Sequence, residues 1–193
     1  MKILLVSDTH GMTERVVRVC ENHGDFDLIL HLGDYQRDQD DIMLKTGITV
    51  KGVAGNCDWA ATTAECSRTE TFECGKIFMT HGHTLGVNYD LKNLCLAAKE
   101  AGAIAAFYGH THVAFYDESG DVRILCPGSI SNPRDGTRGT YAIINTDDGH
   151  LECRLFEYGK GPLTLNSFGR AAASKPRKRR GFLRRTFNDS DGQ

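Results

Sequence analysis

Five short stretches of the chain carry side chains that bind metal ions: Asp8-Thr9-His10, Gly33-Asp34, Gly55-Asn56-Cys57-Asp58, His81-Gly82-His83 and Gly109-His110-Thr111-His112. In Asp8-x-His10 and His110-x-His112 the ligands are two residues apart. On an extended backbone that spacing puts both side chains on one face. Read singly, each residue has a plain structural use. Asp8, Asp34 and Asn56 suit turns, and any one histidine suits a half-buried position with a backbone partner. Read together, four imidazoles, two carboxylates and an amide exceed one ordinary site. They suit two cations that share a carboxylate. Mixed nitrogen and oxygen ligation favours Mn, Fe, Zn, Co or Ni over Ca or Mg, and Mn2+ is the first expectation.

The five stretches share a position, because each follows a strand-like run. KILLVSD, DLILHLGD and ITVKGVAGN read as strands, with TERVVRVCEN and RDQDDIMLKTG as helices between them. TFECGKIFMTHG reads as two strands about a turn at Gly75, LKNLCLAAKEAG as a helix stopped by Gly102, and AIAAFYGHTH as a further strand. Ligands in open α/β sheets collect at the carboxyl ends of strands. Gly33, Gly55, Gly82 and Gly109 would let the backbone turn sharply there. From Val113 the apolar period becomes two. VAFYDESGDVRILCPG and TYAIINTDDGHLECRLFEY read as hairpins turning at Ser119-Gly120 and Asp148-Gly149. Alternation followed by hairpins predicts an α/β fold in which a sheet with outer helices packs on a second, mixed sheet. The globular domain is expected over residues 1–158, a Gly/Ala/Ser-rich linker over 159–173 and a basic tail over 174–193.

The 193 residues suffice for one sizeable core, and 40% hydrophobic with 25% charged residues is ordinary for a globular domain. No apolar run approaches the ~20 residues that a membrane helix needs. Ser7 and Asp8 cut short the apolar start MKILLV, so neither a transmembrane segment nor export is expected and the cytoplasm is the expected compartment. The 7 cysteines are irregularly spaced without a CxxC, which fits reduced thiols and excludes a zinc ribbon. The tail holds seven of the 23 Lys and Arg and two of the 25 Asp and Glu, a charge of +5 against −7 for residues 1–173. A disordered tail with weak attraction for polyanions, lipid or nucleic acid, is expected of it.

Asp8-x-His10, Gly33-Asp34, Gly55-Asn56, His81 and Gly109-His110-x-His112 resemble, in order, the five motifs of the calcineurin-like metallophosphoesterases. The short chain, the GNCD form and Pro127-Gly128-Ser129 resemble the small prokaryotic YfcE-type phosphodiesterases. The resemblance covers residues 1–158. It implies a four-layer α/β/β/α sandwich, two mixed sheets flanked by helices, with two metals at the strand ends. It also implies ligand sets: Asp8, His10 and His112 for one cation, Asn56, His81 and His110 for the other, and Asp34 between them. His83 is then left over, although His81 and His83 could exchange roles.

Larger members carry a histidine where this chain has Cys57. A neutral thiol is a poor mimic of an imidazolium, so Cys57 is expected to fill space and His83 to supply the missing cation. Asp58 would orient a loop. The reaction implied is hydrolysis of a small phosphate ester, most directly a diester, by a hydroxide that two cations activate, with Asn56 and the metals offsetting charge. Arg134 and Arg138, in the loop PGSISNPRDGTRG, would offer guanidinium groups to phosphate. The alternative is a non-catalytic protein-binding scaffold like the retromer subunit of this fold, in which ligands are degraded. None is lost here. The sequence leaves a homo-oligomer open.

Overall fold

The computed structural model describes residues 1–59, 63–147 and 149–171. The basic tail and Asp148 of the second hairpin turn lie outside them. The chain runs β1 (Lys2–Val6), α1 (Thr13–His23), β2 (Leu28–His31), α2 (Gln36–Thr46), β3 (Val50–Gly52), β4 (Ser67–Phe72), β5 (Gly75–Thr80), α3 (Lys92–Glu100), β6 (Ala105–Tyr108), β7 (Ala114–Asp117), β8 (Arg123–Pro127), β9 (Thr140–Asp147), β10 (His150–Glu157) and β11 (Gly161–Pro162). Single 3-10 turns cover Thr63–Cys66 and His83–Leu85.

The strands form two mixed sheets, ordered β11-β10-β9-β1-β2-β3 and β4-β5-β6-β8-β7. Alternation along each strand assigns the layers. Ile3 and Leu5 of β1 join Ile77, Met79, Phe107 and Leu125 in the core between the sheets. Leu4 and Val6 face outward against Val16 and Val19 of α1 and Ile42 of α2. On the far side Ala106, Tyr108 and Ile124 meet Leu94 and Ala98 of α3. This is the four-layer sandwich, with each helix burying one stripe. No disulfide joins the seven cysteines.

The segment after Tyr158 departs from the linker expected of it. β11 pairs with β10 at one edge of the first sheet, and Leu163 and Leu165 pack against the inter-sheet core. Gly169 and Arg170 then lie along β7, where Tyr116 N–H donates to Gly169 O at 2.9 Å. The open edges of both sheets offer unpaired backbone groups, and a Gly- and Pro-containing segment with few apolar residues can satisfy them without strand-like patterning.

Candidate metal centre

Register gathers the ligands. β1, β2 and β3 are parallel, with Val6 beside His31 and His31 beside Gly52. β5 and β6 are also parallel, with Thr80 beside Tyr108. Within each sheet the carboxyl ends therefore finish level, and hydrogen bonds between their loops bring the two sets together. Asp8 N–H donates to Gly33 O (3.1 Å) and Gly109 N–H to His81 O (3.2 Å). His81 Nδ1 reaches across to Leu32 O at 2.7 Å, joining the two sheets.

The backbone there is not extended, contrary to the two-residue spacing argument. β1 stops at Val6 and β6 at Tyr108. Asp8, His10, Asp34, His110 and His112 all have φ between 44° and 66°. A left-handed conformation costs a non-glycine residue about 1–2 kcal/mol. Five such residues at one site mark a geometry held for function rather than for stability. Gly55 is needed for space, since a Cβ would lie 2.2 Å from Asp34 Oδ1.

One half of the centre is tightly gathered. Ligand atoms of Asp8, His10, Asp34 and His112 lie within 4.8 Å of one another. His112 Nε2 is 3.1 Å from Asp8 Oδ1, and His10 Nε2 is 3.3 Å from His112 Nε2 and 3.7 Å from Asp34 Oδ2. Asp8 Oδ1 is buried and accepts no hydrogen bond. His112 Nδ1 donates to Asn132 O at 2.6 Å, which leaves Nε2 to the centre. Burial alone would lower the His112 pKa, but contact with the Asp8 carboxylate outweighs it and the net shift is upward. Burial would raise Asp8, yet His112 and His81 hold it below its ordinary value. An unsatisfied carboxylate oxygen facing inward-turned imidazole nitrogens is a cation-binding arrangement, and the donor set fits a divalent transition metal.

The other half is looser. His81, fully buried, points Nε2 at Asn56 Oδ1 (3.1 Å) and Asp34 Oδ1 (3.3 Å). The His110 ring lies 5.2 Å from that of His81, and its Nε2 faces the Asn88 amide at 2.8 Å. Burial, then the neighbouring His81, pushes His110 down to about 4, so it is a neutral donor. Asp34, 2% exposed, touches both halves.

The supports were not visible in the sequence. Behind Asp8-Thr9-His10 lies a buried chain: Gly33 N–H donates to His31 Nδ1 (3.2 Å), His31 Nε2 donates to Thr9 Oγ1 (2.9 Å), and Thr9 donates to Asp38 Oδ2 (2.6 Å). Asp38 also accepts from Gly11 N–H (2.7 Å). Ser129 and Ser131 hydroxyls both donate to Asp8 O at 2.8 Å, and Ser7 donates to Asp8 Oδ2. Apart from the local Gly33–His31 bond, each spans residues far apart in sequence or uses a serine with no pattern of its own. The serine of Pro127-Gly128-Ser129 was the nearest available signal.

Cys57 donates from its thiol to Asp34 Oδ2 (3.4 Å) and from its amide to Asp34 Oδ1 (2.9 Å). Burial, then the Asp34 carboxylate, pushes the thiol up to about 11, away from the reactive thiolate form. Asp58 ties the loop down, accepting from Gln36 N–H and Gly55 N–H. His83 lies ring to ring with His81 and His110. Burial, then His81, lowers its pKa, which works against the cationic form expected of it. Arg134 is exposed and its N–H donates to His112 O (2.9 Å), at the rim of the centre. Arg138 is held at the far end of the loop, its carbonyl accepting from Arg15 and its amide donating to Glu157. Among the described residues no polar contact joins its side chain to the histidines.

A two-sheet sandwich with ligand loops gathered at the carboxyl ends of its strands is the architecture of metallophosphoesterases. The calcineurin-like phosphoesterase superfamily domain matches residues 1–149, and the chain belongs to that superfamily. It is 31% identical over 158 residues to the probable metallophosphoesterase YsnB of Bacillus subtilis, covering 81% of this chain and 91% of YsnB. It is 28% identical over 172 residues to the phosphodiesterase YfcE of Escherichia coli, covering 76% of this chain and 89% of YfcE. A solved structure from Streptococcus pneumoniae, of a conserved uncharacterized protein described as a predicted phosphoesterase, superposes with a TM-score of 0.68 at 30% identity, covering 81% of this chain and 89% of that one. Among the described residues no helix is long and apolar enough to cross a membrane.

Proposed function

We propose that this chain is a phosphodiesterase that works with two divalent cations, Mn2+ the first choice. Asp8, His10 and His112 would hold one, Asn56, His81 and His110 the other, and Asp34 both. The carrying observation is the orphaned Asp8 Oδ1 beside inward-turned imidazole nitrogens, on backbone held left-handed. Bound there, the cations would lower the pKa of a water and offset the charge of a phosphate.

The chain's own groups do the rest. Leu32 and Asn132 carbonyls keep protons on Nδ1 of His81 and His112, so each presents a lone pair at Nε2. The Asn56 amide is a donor for a phosphoryl oxygen. Arg134, at the rim, is the guanidinium available to the phosphate. His83 would make a hydrogen bond to the leaving oxygen. Cys57 keeps its proton and braces Asp34. The scaffold alternative would be favoured by degraded ligands, and all seven are present.

The test is turnover of bis(p-nitrophenyl) phosphate by protein stripped with chelator and reloaded with Mn2+, alongside elemental analysis. Activity lost on stripping and restored on loading, with two metals per chain, is expected. Protein that carries two metals and hydrolyses no diester would overturn the reading and return the scaffold.

A further inference from the structure

A cleft of ≈ 250 Å³ adjoins the looser half of the centre. Thr111, between His110 and His112, lies in its wall, and so does Asn88, whose amide meets His110. Tyr89, Tyr108 and Phe115 give it aromatic surface, and Asp90 and Arg170 give it one charge of each sign. Tyr89 is 94% exposed, an unusual place for a large aromatic with no covering partner. The volume falls below the ~300–1,000 Å³ typical of sites that engulf a whole ligand, and matches one arm of a molecule anchored elsewhere.

Arg170 is delivered by the C-terminal segment. Asn166 clasps it, donating from its amide to Arg170 O (2.8 Å) and accepting from Arg170 N–H at Oδ1 (3.2 Å). Gly169 permits the approach to β7: its φ is +70°, and a Cβ would lie 2.2 Å from Tyr116 O. The guanidinium makes no ion pair with any described residue, so its donors are available.

We infer that this cleft receives the non-transferred arm of the diester, and that the arm is a nucleoside. Aromatic side chains in the lining, Tyr89 the exposed one, favour a planar group, worth roughly 1–3 kcal/mol per stacked base. Arg170 offers a fork of donors to a base's acceptor edge, and Asp90, whose Oδ1 already accepts from Lys92 N–H (2.9 Å) and whose Oδ2 lies 4.0 Å from Lys92 Nζ, has Oδ2 left to accept from a base's amino or imide hydrogens. A carboxylate in the wall disfavours a second phosphate, which separates a nucleoside arm from a further anionic group. This rests on the diesterase reading.

The test compares kcat/KM of Mn2+-loaded protein for the p-nitrophenyl ester of thymidine monophosphate, for the same ester carrying a further phosphate, and for methyl p-nitrophenyl phosphate. The chromophore is common to all three. The wild type should prefer the nucleoside ester to the methyl ester about 100-fold, and Arg170→Ala and Tyr89→Ala should each cut that ratio about tenfold. Arg170→Lys, which keeps the charge and loses the fork, should recover only part of it. No preference in the wild type, an equal fall on both esters in the variants, or a gain from the extra phosphate would each overturn the inference. Turnover of none of them by protein holding two cations would overturn the diesterase reading instead. Thymidine binding by saturation-transfer NMR then decides the cleft: a signal lost in Arg170→Ala supports it, and no signal overturns it.

Discussion

The two halves of the metal centre use similar side chains and differ in how far the protein has closed around them. Asp8 and His112 are buried, brace each other, and bring a full carboxylate in addition to the share of Asp34. Asn56 is exposed, His110 leans on Asn88, and only His81 is fully buried and anchored. The first half adds one more negative charge and has its ligands already gathered. The second offers neutral ligands that still have to converge. Coulomb attraction and preorganisation both favour the first. In the proposed dinuclear site the first half would be a tight position and the second an exchangeable one, coupled through Asp34.

The largest expected effect removes what the halves share. Asp34→Asn should lower diester turnover by more than ~100-fold, beyond the loss of an outer partner of a metal ligand. Retention of a tenth of wild-type activity would break the view of Asp34 as common to both. Next, Asp8→Ala and Asn56→Ala separate the halves. After dialysis against dilute Mn2+, Asn56→Ala should keep about one metal per chain while Asp8→Ala keeps almost none, because it strips the tight half of its own carboxylate and leaves only the exchangeable half intact. Equal retention in elemental analysis would abolish the asymmetry.

A smaller effect probes the support behind the tight half. Burial holds His31 neutral, its pKa lowered from 6.5 to about 4. Between those values the unfolded chain binds a proton that the folded chain does not, so stability falls as pH falls from 6.5 towards 4 and is untouched above that window. In chelator, urea unfolding of the wild type should lose on the order of 3 kcal/mol more across the window than His31→Gln does. Parallel pH profiles would show that His31 does not titrate there. The smallest effect is expected of Cys57→Ala. The thiol only braces Asp34, so turnover should change by less than about tenfold, the low end for an outer partner. A loss rivalling Asp34→Asn would give the sulfur a chemical role.

The sequence carried the inventory of metal-competent side chains that the structure brings together, because residue type and order sufficed: five strand ends, each followed by Asp, His or Asn. It carried the layers because period two in KILLV and helical spacing in TERVVRV are local. It could not carry the conformation of Asp8 or His110, which is imposed by strands that stop two residues earlier. Nor could it show His31 under Thr9, Asn132 behind His112 or Asn88 beside His110. Those partners are 22, 20 and 22 residues apart and meet only once the sheets are in register. Arg170 was hidden differently. Its segment has linker composition, and the edge of β7 that receives it was itself an inference. The charge of His83 was read from residue type, whereas burial and the neighbouring His81 both act to lower its pKa.

The left-handed backbone at Asp8, His10, Asp34, His110 and His112 has an evolutionary consequence. Each position would be more comfortable as glycine or asparagine, by about 1 kcal/mol. If the proposed hydrolysis is what selection holds, the discomfort is retained with it. A duplicated copy freed from that demand would gain stability with the first substitutions at these five positions. Such a copy would become sturdier as it lost catalysis, and the order of replacement would record when the activity was given up.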